Sequence, residues 1–336
     1  MCFSALVKQN LKSLGLQFRA RVDHGAFEDL FRRRLEGEDL KIAKALEFNY
    51  RRDPKTDAER RVRDLIEAWI ERENSKDRAK IVEQEERLRT AEAKIAAHES
   101  GASIKKLSKK VYDDRRIAAG WIEKRSQWIE RRSRVELKDG DSRIFPMWFF
   151  PMVYFDGKEN VVAPFRYHLR PEGKPASFDS RFDGTYNARR DRLREVPWWK
   201  DAYGRHHGVF VVYRFFENVP EHRYHGRELK AGERESNMVV SFDPGAGREM
   251  LVPALFTRWR GAGGEPPVDG AAAITFDPAP EVAAAGHDRT VGRLKAQNVD
   301  GFLRPKGQSL ADLEALDALI DDHEVFHFMA SVAAAA

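Results

Sequence analysis

The chain has 336 residues, 34% charged and 42% hydrophobic, enough for one large domain or two ordinary ones around a sizeable core. Its single cysteine excludes an internal disulfide and a cysteine-rich zinc site, and no run of about 18 apolar residues supplies a membrane-spanning helix. The formal charge of +5, from 59 Lys and Arg against 54 Asp and Glu, permits nucleic acid as a partner without requiring it.

Met1 to Asn10 shows no basic stretch, long apolar run or cleavage site, so no secretory leader is expected. With one cysteine, the expected compartment is a reducing cytoplasm. The first fifty residues read as helical, with Phe27, Leu30 and Phe31 on one face. Asp53-Pro54 then breaks the pattern, and Thr56 and Asp57 can cap a new helix.

From Ala58 to Lys138 the text is mostly Glu, Arg, Lys, Ala and isolated apolar residues, without proline. Val62, Leu65, Ile66, Trp69 and Ile70 recur at helical spacing. Ile81, Leu88 and Ile95 follow seven apart, with Ala91 between the last two, as a narrow heptad-like seam. Ser100-Gly101-Ala102-Ser103 interrupts it. A second apolar series runs through Ile104, Leu107, Val111, Ile117, Trp121, Ile122, Trp128 and Ile129. Two long helices joined by a short glycine turn predict an antiparallel hairpin, a charged arm over residues 58–138.

After Ser142 the runs shorten and aromatics, Gly and Pro increase. Met147 to Phe155, Val161 to Leu169, Gly208 to Phe216, Met238 to Phe242, Leu251 to Trp259 and Ala271 to Phe276 read as mainly antiparallel strands. Short helices are expected over Arg190 to Tyr203 and Leu310 to Ile320, and a last strand over Val325 to Met329. Residues 1–57 and 139–336 thus predict one α+β domain interrupted by the arm.

His323-Glu324-Val325-Phe326-His327 matches the H-E-x-x-H zinc motif, in which two histidines one helical turn apart ligate the metal. Nine residues follow it, with no third ligand among them, and Asp321-Asp322 reads as a helix end. The His206, His207 and His222, His225 pairs also lack further ligands, so no metal and no cofactor is expected. Cys2 is different. With Met1 removed it carries an amine and a thiol on adjacent carbons. The amine condenses with an aldehyde to a Schiff base, and the thiol then closes a five-membered thiazolidine. The same thiolate can instead attack an amide. Taken alone, Cys2 also reads as an ordinary cysteine near a terminus.

Beyond Cys2 the chain carries Tyr186-Asn187-Ala188-Arg189-Arg190-Asp191, Phe215-Phe216-Glu217-Asn218, Ala271-Ala272-Ala273-Ile274-Thr275 and Ala285-Gly286-His287-Asp288-Arg289, in that order. Val162 to Tyr167 and Arg170-Pro171 precede them. This ordered set resembles the SOS response-associated peptidase (SRAP) family, loosely over residues 1–50 and more fully over 142–330. The resemblance implies strongly bent, barrel-like antiparallel sheets with flanking helices. It implies a DNA-damage protein that binds single-stranded DNA and cross-links covalently to abasic sites. In that reading Cys2 is the nucleophile, Asn187 positions it and the opened sugar, Glu217 shuttles protons, and His287 assists ring opening. Arg189 and Arg289 grip phosphates, and Arg166, on the matching arginine–aromatic strand, binds DNA with them. Trp198 follows the Asn-Ala-Arg segment and either stacks on a base or packs in the core, as do Trp199 and Tyr203.

Phe3-Ser4, Asn218 and Thr290-Val291 depart from the family's usual residues, and the arm is an addition to its compact domain. The expected partner is single-stranded DNA containing abasic sites, met as a monomer near the nucleoid, with no membrane. Two alternatives stand beside this: a thiol peptidase, or self-peptidase, using Cys2; and a scaffold whose arm holds a protein partner.

Overall fold

Short apolar runs, buried on both faces, build the main strands, and a computed structural model describes residues 4–102, 106–182, 184–261 and 264–333. The N-terminal segment holds β1 (Ser4–Val7), α1 (Leu11–Phe18), β2 (Ala20–Val22), α2 (His24–Glu36), β3 (Lys41–Ile42) and α3 (Lys44–Arg51). The arm is α4 (Asp57–Glu99) and α5 (Lys109–Ser133). Then come β4 (Arg143–Ile144), β5 (Trp148–Phe155), β6 (Asn160–Tyr167), α6 (Phe178–Arg181), β7 (Asn187–Arg189), α7 (Pro197–Ala202), β8 (His207–Pro220) and α8 (Glu221–Tyr224). The chain continues through β9 (Asn237–Asp243), β10 (Met250–Trp259), β11 (Val268–Phe276), α9 (Pro280–Ala284), β12 (Thr290–Val291), α10 (Val299–Leu303), α11 (Leu310–Asp321) and β13 (Met329–Val332).

Strands β8, β10, β11, β6 and β5 are neighbours in that order, and β5 pairs back with β8 through Val153 with Val209 and Tyr154 with Gly208. The sheet therefore closes into a ring, which removes its central edges. The expectation of a mainly antiparallel sheet needs one correction. β6–β11, β2–β6, β3–β5 and β7–β11 are parallel, because their connections cross the barrel rather than turning back as hairpins. Where β11 meets β6, a Cβ on Gly270 would lie 2.4 Å from the His168 carbonyl oxygen, so the close approach requires glycine.

Strand parity sorts the barrel's residues. Val161, Ala163, Phe165 and Tyr167 of β6 point into a core shared with Phe150, Phe210 and Phe256, whereas Val162 joins the core beneath the helices. Phe165 sits edge-on to Tyr154 and Phe256, with centroids 5.5 and 5.2 Å away. Phe165→Ala is expected to cost about 3–5 kcal/mol, read as a lower denaturant midpoint at unchanged slope.

Phe27, Leu30 and Phe31 are buried, as their helical spacing predicts. Val62, Ile66 and Ile70 of α4 pack into the same core, so the arm is rooted in it. Thr56 and Glu59 form the capping box that starts α4. Further out, α4 and α5 run antiparallel: Asn74 meets Arg132 and Ser133, Asp77 meets Arg125 and Arg132, and Arg87 meets Asp114. The seam differs from the expected apolar one. Ala91, Ile95 and Ala118 are buried, but Ile117, Trp121 and Trp128 lie exposed. Ion pairs take the place of the missing apolar contacts. Of the second series, Ile104 lies outside the described residues.

Arg190 to Tyr203 forms a 3-10 turn (Arg190–Arg192) and α7 rather than one helix. Pro197 lacks an N–H and holds Val196 extended, which starts the helix afresh. The last strand begins later than expected, as β13, which pairs with β9. No helix of the described residues is long and apolar enough to cross a membrane.

Candidate functional site

β8 carries Glu217, whose side chain is fully buried. Its neighbour Phe216 pairs with Ser4, the first described residue of β1. Cys2 lies outside the described residues.

His287 arrives from a different element. Helix α9 ends in a Schellman cap: Gly286 N–H donates to the Ala283 carbonyl and His287 N–H to the Val282 carbonyl. Gly286 takes φ +90°, and a Cβ there would meet Arg223 Cβ at 2.7 Å. The cap turns the imidazole inward, where Nε2 lies 3.5 Å from a Glu217 carboxyl oxygen. Nδ1 lies 3.0 Å from the Arg289 carbonyl oxygen and 3.3 Å from the Arg289 amide nitrogen. If Nδ1 donates to the carbonyl, Nε2 presents a lone pair to Glu217. If Nδ1 accepts from the amide, Nε2 presents its proton instead. The N–H and C=O of this one residue, Arg289, thus accommodate both tautomers, so a proton can move between imidazole and carboxyl without rearranging the chain. Burial pushes the His287 imidazole down to about 4, so it is neutral at pH 7.

Asn187 starts β7, is buried, and accepts from the Tyr167 hydroxyl at 3.1 Å. β7 lies beside β11, pairing Asn187 with Ala273 and Arg189 with Thr275. Asn187, Arg189, Trp198 and Arg289 line one cavity of about 390 Å³. Arg289 is buried and pairs with exposed Asp277 at 2.6 Å, and Arg189 pairs with Asp191 at 2.8 Å. Arg181 and Arg192 also line the cavity, making four arginines against one carboxylate, Asp288. The rim is aromatic: Phe182 stacks on Phe178 at 4.6 Å and lies 5.7 Å from Trp198. Such a lining suits an anion and a flat ring, and His287 precedes its Asp288 in the chain.

Arg166 is not brought there. On β6 it alternates with Tyr167, so it faces away from Asn187. It is buried against Asp179, which it shares with Arg170, at 2.8 and 2.5 Å. Trp199 and Tyr203 are core residues; the Tyr203 hydroxyl donates to Asp317 at 2.6 Å. Tyr167, Arg181, Phe182 and Arg192 belong to the site and were not singled out in the sequence. For Tyr167 the signal is its parity on β6, one residue from Arg166.

The zinc motif dissolves. His323 and His327 follow the end of α11 rather than lying on a helix. His327 is exposed beside Glu281, at 3.1 Å, whereas His323 packs edge-on to Phe276. Among the described residues no three ligand-type side chains gather as a metal site requires. His207 is buried between the Gly204 amide and the Phe302 carbonyl.

Burial holds His168 at about 4, His207 at about 3 and His287 at about 4, all below the ordinary value of 6.5. Each is neutral in the fold and protonates earlier when unfolded. Their contribution is therefore fully present above pH 6.5 and is lost as pH falls toward those values, by at most about 1.4 kcal/mol per group per pH unit. A melting temperature that falls steadily from about pH 6.5 to 4.5, and falls less in His207→Gln at matched starting stability, is the expected result.

The closed α+β barrel thus carries a buried carboxyl–imidazole pair, Glu217 and His287, and an arginine-lined cavity whose lining includes the next two residues, Asp288 and Arg289. The chain belongs to the SOS response associated peptidase (SRAP) family, whose pattern matches residues 118–332. No curated protein matches it. Among solved structures it is similar to a protein from Bacteroides thetaiotaomicron, at 14% identity over 56% of this chain and 76% of that one, with a TM-score of 0.44. It is also similar to a phage-related protein from Bordetella bronchiseptica, at 14% identity over 61% of this chain and 88% of that one, with a TM-score of 0.43.

Proposed function

We propose that the protein binds single-stranded DNA and links Cys2 covalently to an abasic site. The observation that carries this reading is the Glu217–His287 pair, 3.5 Å apart, with the two residues after His287 lining a cavity that also holds Asn187 and three further arginines. Ser4, two residues after Cys2 in the sequence, pairs with Phe216, the residue beside Glu217.

The reaction needs Met1 removed. The Cys2 amine then attacks the C1′ aldehyde of the opened deoxyribose, giving a carbinolamine. Its hydroxyl leaves as water when protonated, and an imine remains. The thiol adds across the C=N bond, its proton passing to nitrogen, and a thiazolidine closes. One water is released overall. Glu217 and His287 supply and recover the protons for ring opening and dehydration. Asn187 orients the sugar without adding charge, and Arg189 and Arg289 hold the flanking phosphates. Trp198 and Phe182 meet a neighbouring base. Arg166 takes no part in this version of the site. Residues 1–57 and 139–336 form the reacting domain, and 58–138 the arm.

A gel that resolves denaturation-resistant adducts tests the reading. Wild-type protein is expected to shift an oligonucleotide carrying one abasic site, and Cys2→Ala to lose the shift completely. No shift, from protein shown by mass to begin at Cys2, would overturn it. The family's description as peptidases favours the second reading, in which the Cys2 thiolate attacks an amide. That reaction needs no free amine. Blocking the N-terminal amine while sparing the thiol separates the two, since only the DNA reaction then stops.

A further inference from the structure

The arm and the barrel meet at a second cavity, of about 380 Å³, separate from the site above. Three indoles from three elements line it: Trp69 of α4, Trp128 of α5 and Trp148 of β5. Five cationic side chains line it against two carboxylates, Asp39 and Glu47.

The positive excess is local. Buried Arg34 gives one N–H to Glu47 at 2.6 Å and lies 3.9 Å over the Trp69 ring, while its Nε and Nη2 have no partner among the described residues. Lys44 donates to the Arg132 carbonyl at 3.1 Å, and neither it nor Arg131 pairs with a carboxylate among the described residues. Such a cavity draws an anion, and its indole walls fit a flat ring.

Rings and cations continue to either side. Along α5, Arg125 lies 5.7 Å from Trp128 and 4.8 Å from Trp121, and Lys124 lies 5.2 Å over Trp128. The two indoles are 39% and 45% exposed and stand about 10 Å apart along the helix. Toward the barrel, Trp148 meets Phe145 at 5.5 Å. Arg143 lies 5.1 Å from Phe145 and 3.7 Å from Phe216, the neighbour of Glu217 on β8.

We propose that this tryptophan-lined cavity and the outer face of α5 bind single-stranded nucleic acid flanking the reacting site. The proposal rests on the function proposed above and extends its footprint onto the arm. Alternating rings and cations match a strand's alternating bases and phosphates. An acidic peptide would satisfy the cations but would leave the exposed indoles of Trp121 and Trp128 without a ring to stack on. Trp128 takes a base in the cavity, Trp121 the next stack outward, and Lys44 and Arg131 lie against phosphates.

The test uses the full-length protein and an undamaged labelled strand of about twenty nucleotides, followed by fluorescence anisotropy across a salt series. Trp128→Ala and Trp121→Ala are each expected to weaken binding roughly 5- to 50-fold. Arg131→Glu is expected to lower the salt slope by about one. All three side chains are at least partly exposed, and circular dichroism checks that each variant is folded. A strand of about three nucleotides with one abasic site should still cross-link to these variants at the wild-type rate, since Glu217, His287 and the Asn187 cavity are unchanged in them. Unchanged affinity in Trp128→Ala together with an unchanged slope in Arg131→Glu would overturn the proposal. If wild type binds the long strand through the arm yet never cross-links, the arm site stands and the reaction proposed above fails. If it cross-links and the arm variants bind normally, the reverse holds.

Discussion

Glu217→Gln is expected to slow adduct formation on an abasic oligonucleotide by roughly 100- to 10,000-fold. The amide has the carboxyl's shape, so the fully buried position keeps its packing. It cannot deliver or take up a proton, and both ring opening and carbinolamine dehydration need one. His287 remains, neutral and 3.5 Å away, but would lose the carboxyl that the proposed reaction pairs it with. The measurement is a single-turnover time course. Binding of the undamaged strand is expected to be unchanged, which separates lost chemistry from a lost fold. A rate within about threefold of wild type would remove Glu217 from the reaction.

Gly286→Val carries the second large effect, and it acts on two observables together. The residue sits at φ +90°, where a β-branched side chain is strained, and its Cβ would press on Arg223 Cβ at 2.7 Å. Strain and overpacking together are expected to cost roughly 2–4 kcal/mol of stability. The Schellman cap would also open, and that cap aims the imidazole at Glu217. Adduct formation is therefore expected to fall about as far as in His287→Ala. A variant that loses stability but reacts at the wild-type rate would show that His287 is placed by something other than this turn.

The strands between residues 147 and 276 were legible because most are short apolar runs bounded by Gly, Pro and Asp turns. Their closure was not. Val153 meets Val209 across more than fifty residues, and no local pattern records that pairing. The parallel pairs were hidden for the same reason. The arm's two helices could be read, but the nature of their seam could not. Apolar spacing on α5 suggested that Ile117, Trp121 and Trp128 face α4, whereas Arg125 and Arg132 take that position against Asp77. One buried carboxylate among arginines sets the helix rotation, and heptad spacing does not register it.

Two groupings of the candidate site were anticipated by the order of its motifs, while Cys2 lies outside the described residues. Asn187, Arg189, Trp198 and Arg289 do line one cavity, and Glu217 and His287 do meet. Arg166 shows the limit of reading a motif without its strand. Tyr167, one position on, is the residue that reaches Asn187, so alternation alone turns Arg166 toward Asp179. Arg181, Phe182 and Arg192 come from turns around α6 and the segment after β7, where no periodicity points anywhere.

The most direct test of the account is the intact mass of the protein after incubation with a single-stranded oligonucleotide carrying one abasic site, followed by mass mapping of its N-terminal peptide. The account predicts a species equal to the chain without Met1 plus the oligonucleotide less one water, with the added mass on Cys2 and absent from Cys2→Ala. Unmodified protein that begins at Cys2, or an adduct on any other residue, would contradict it.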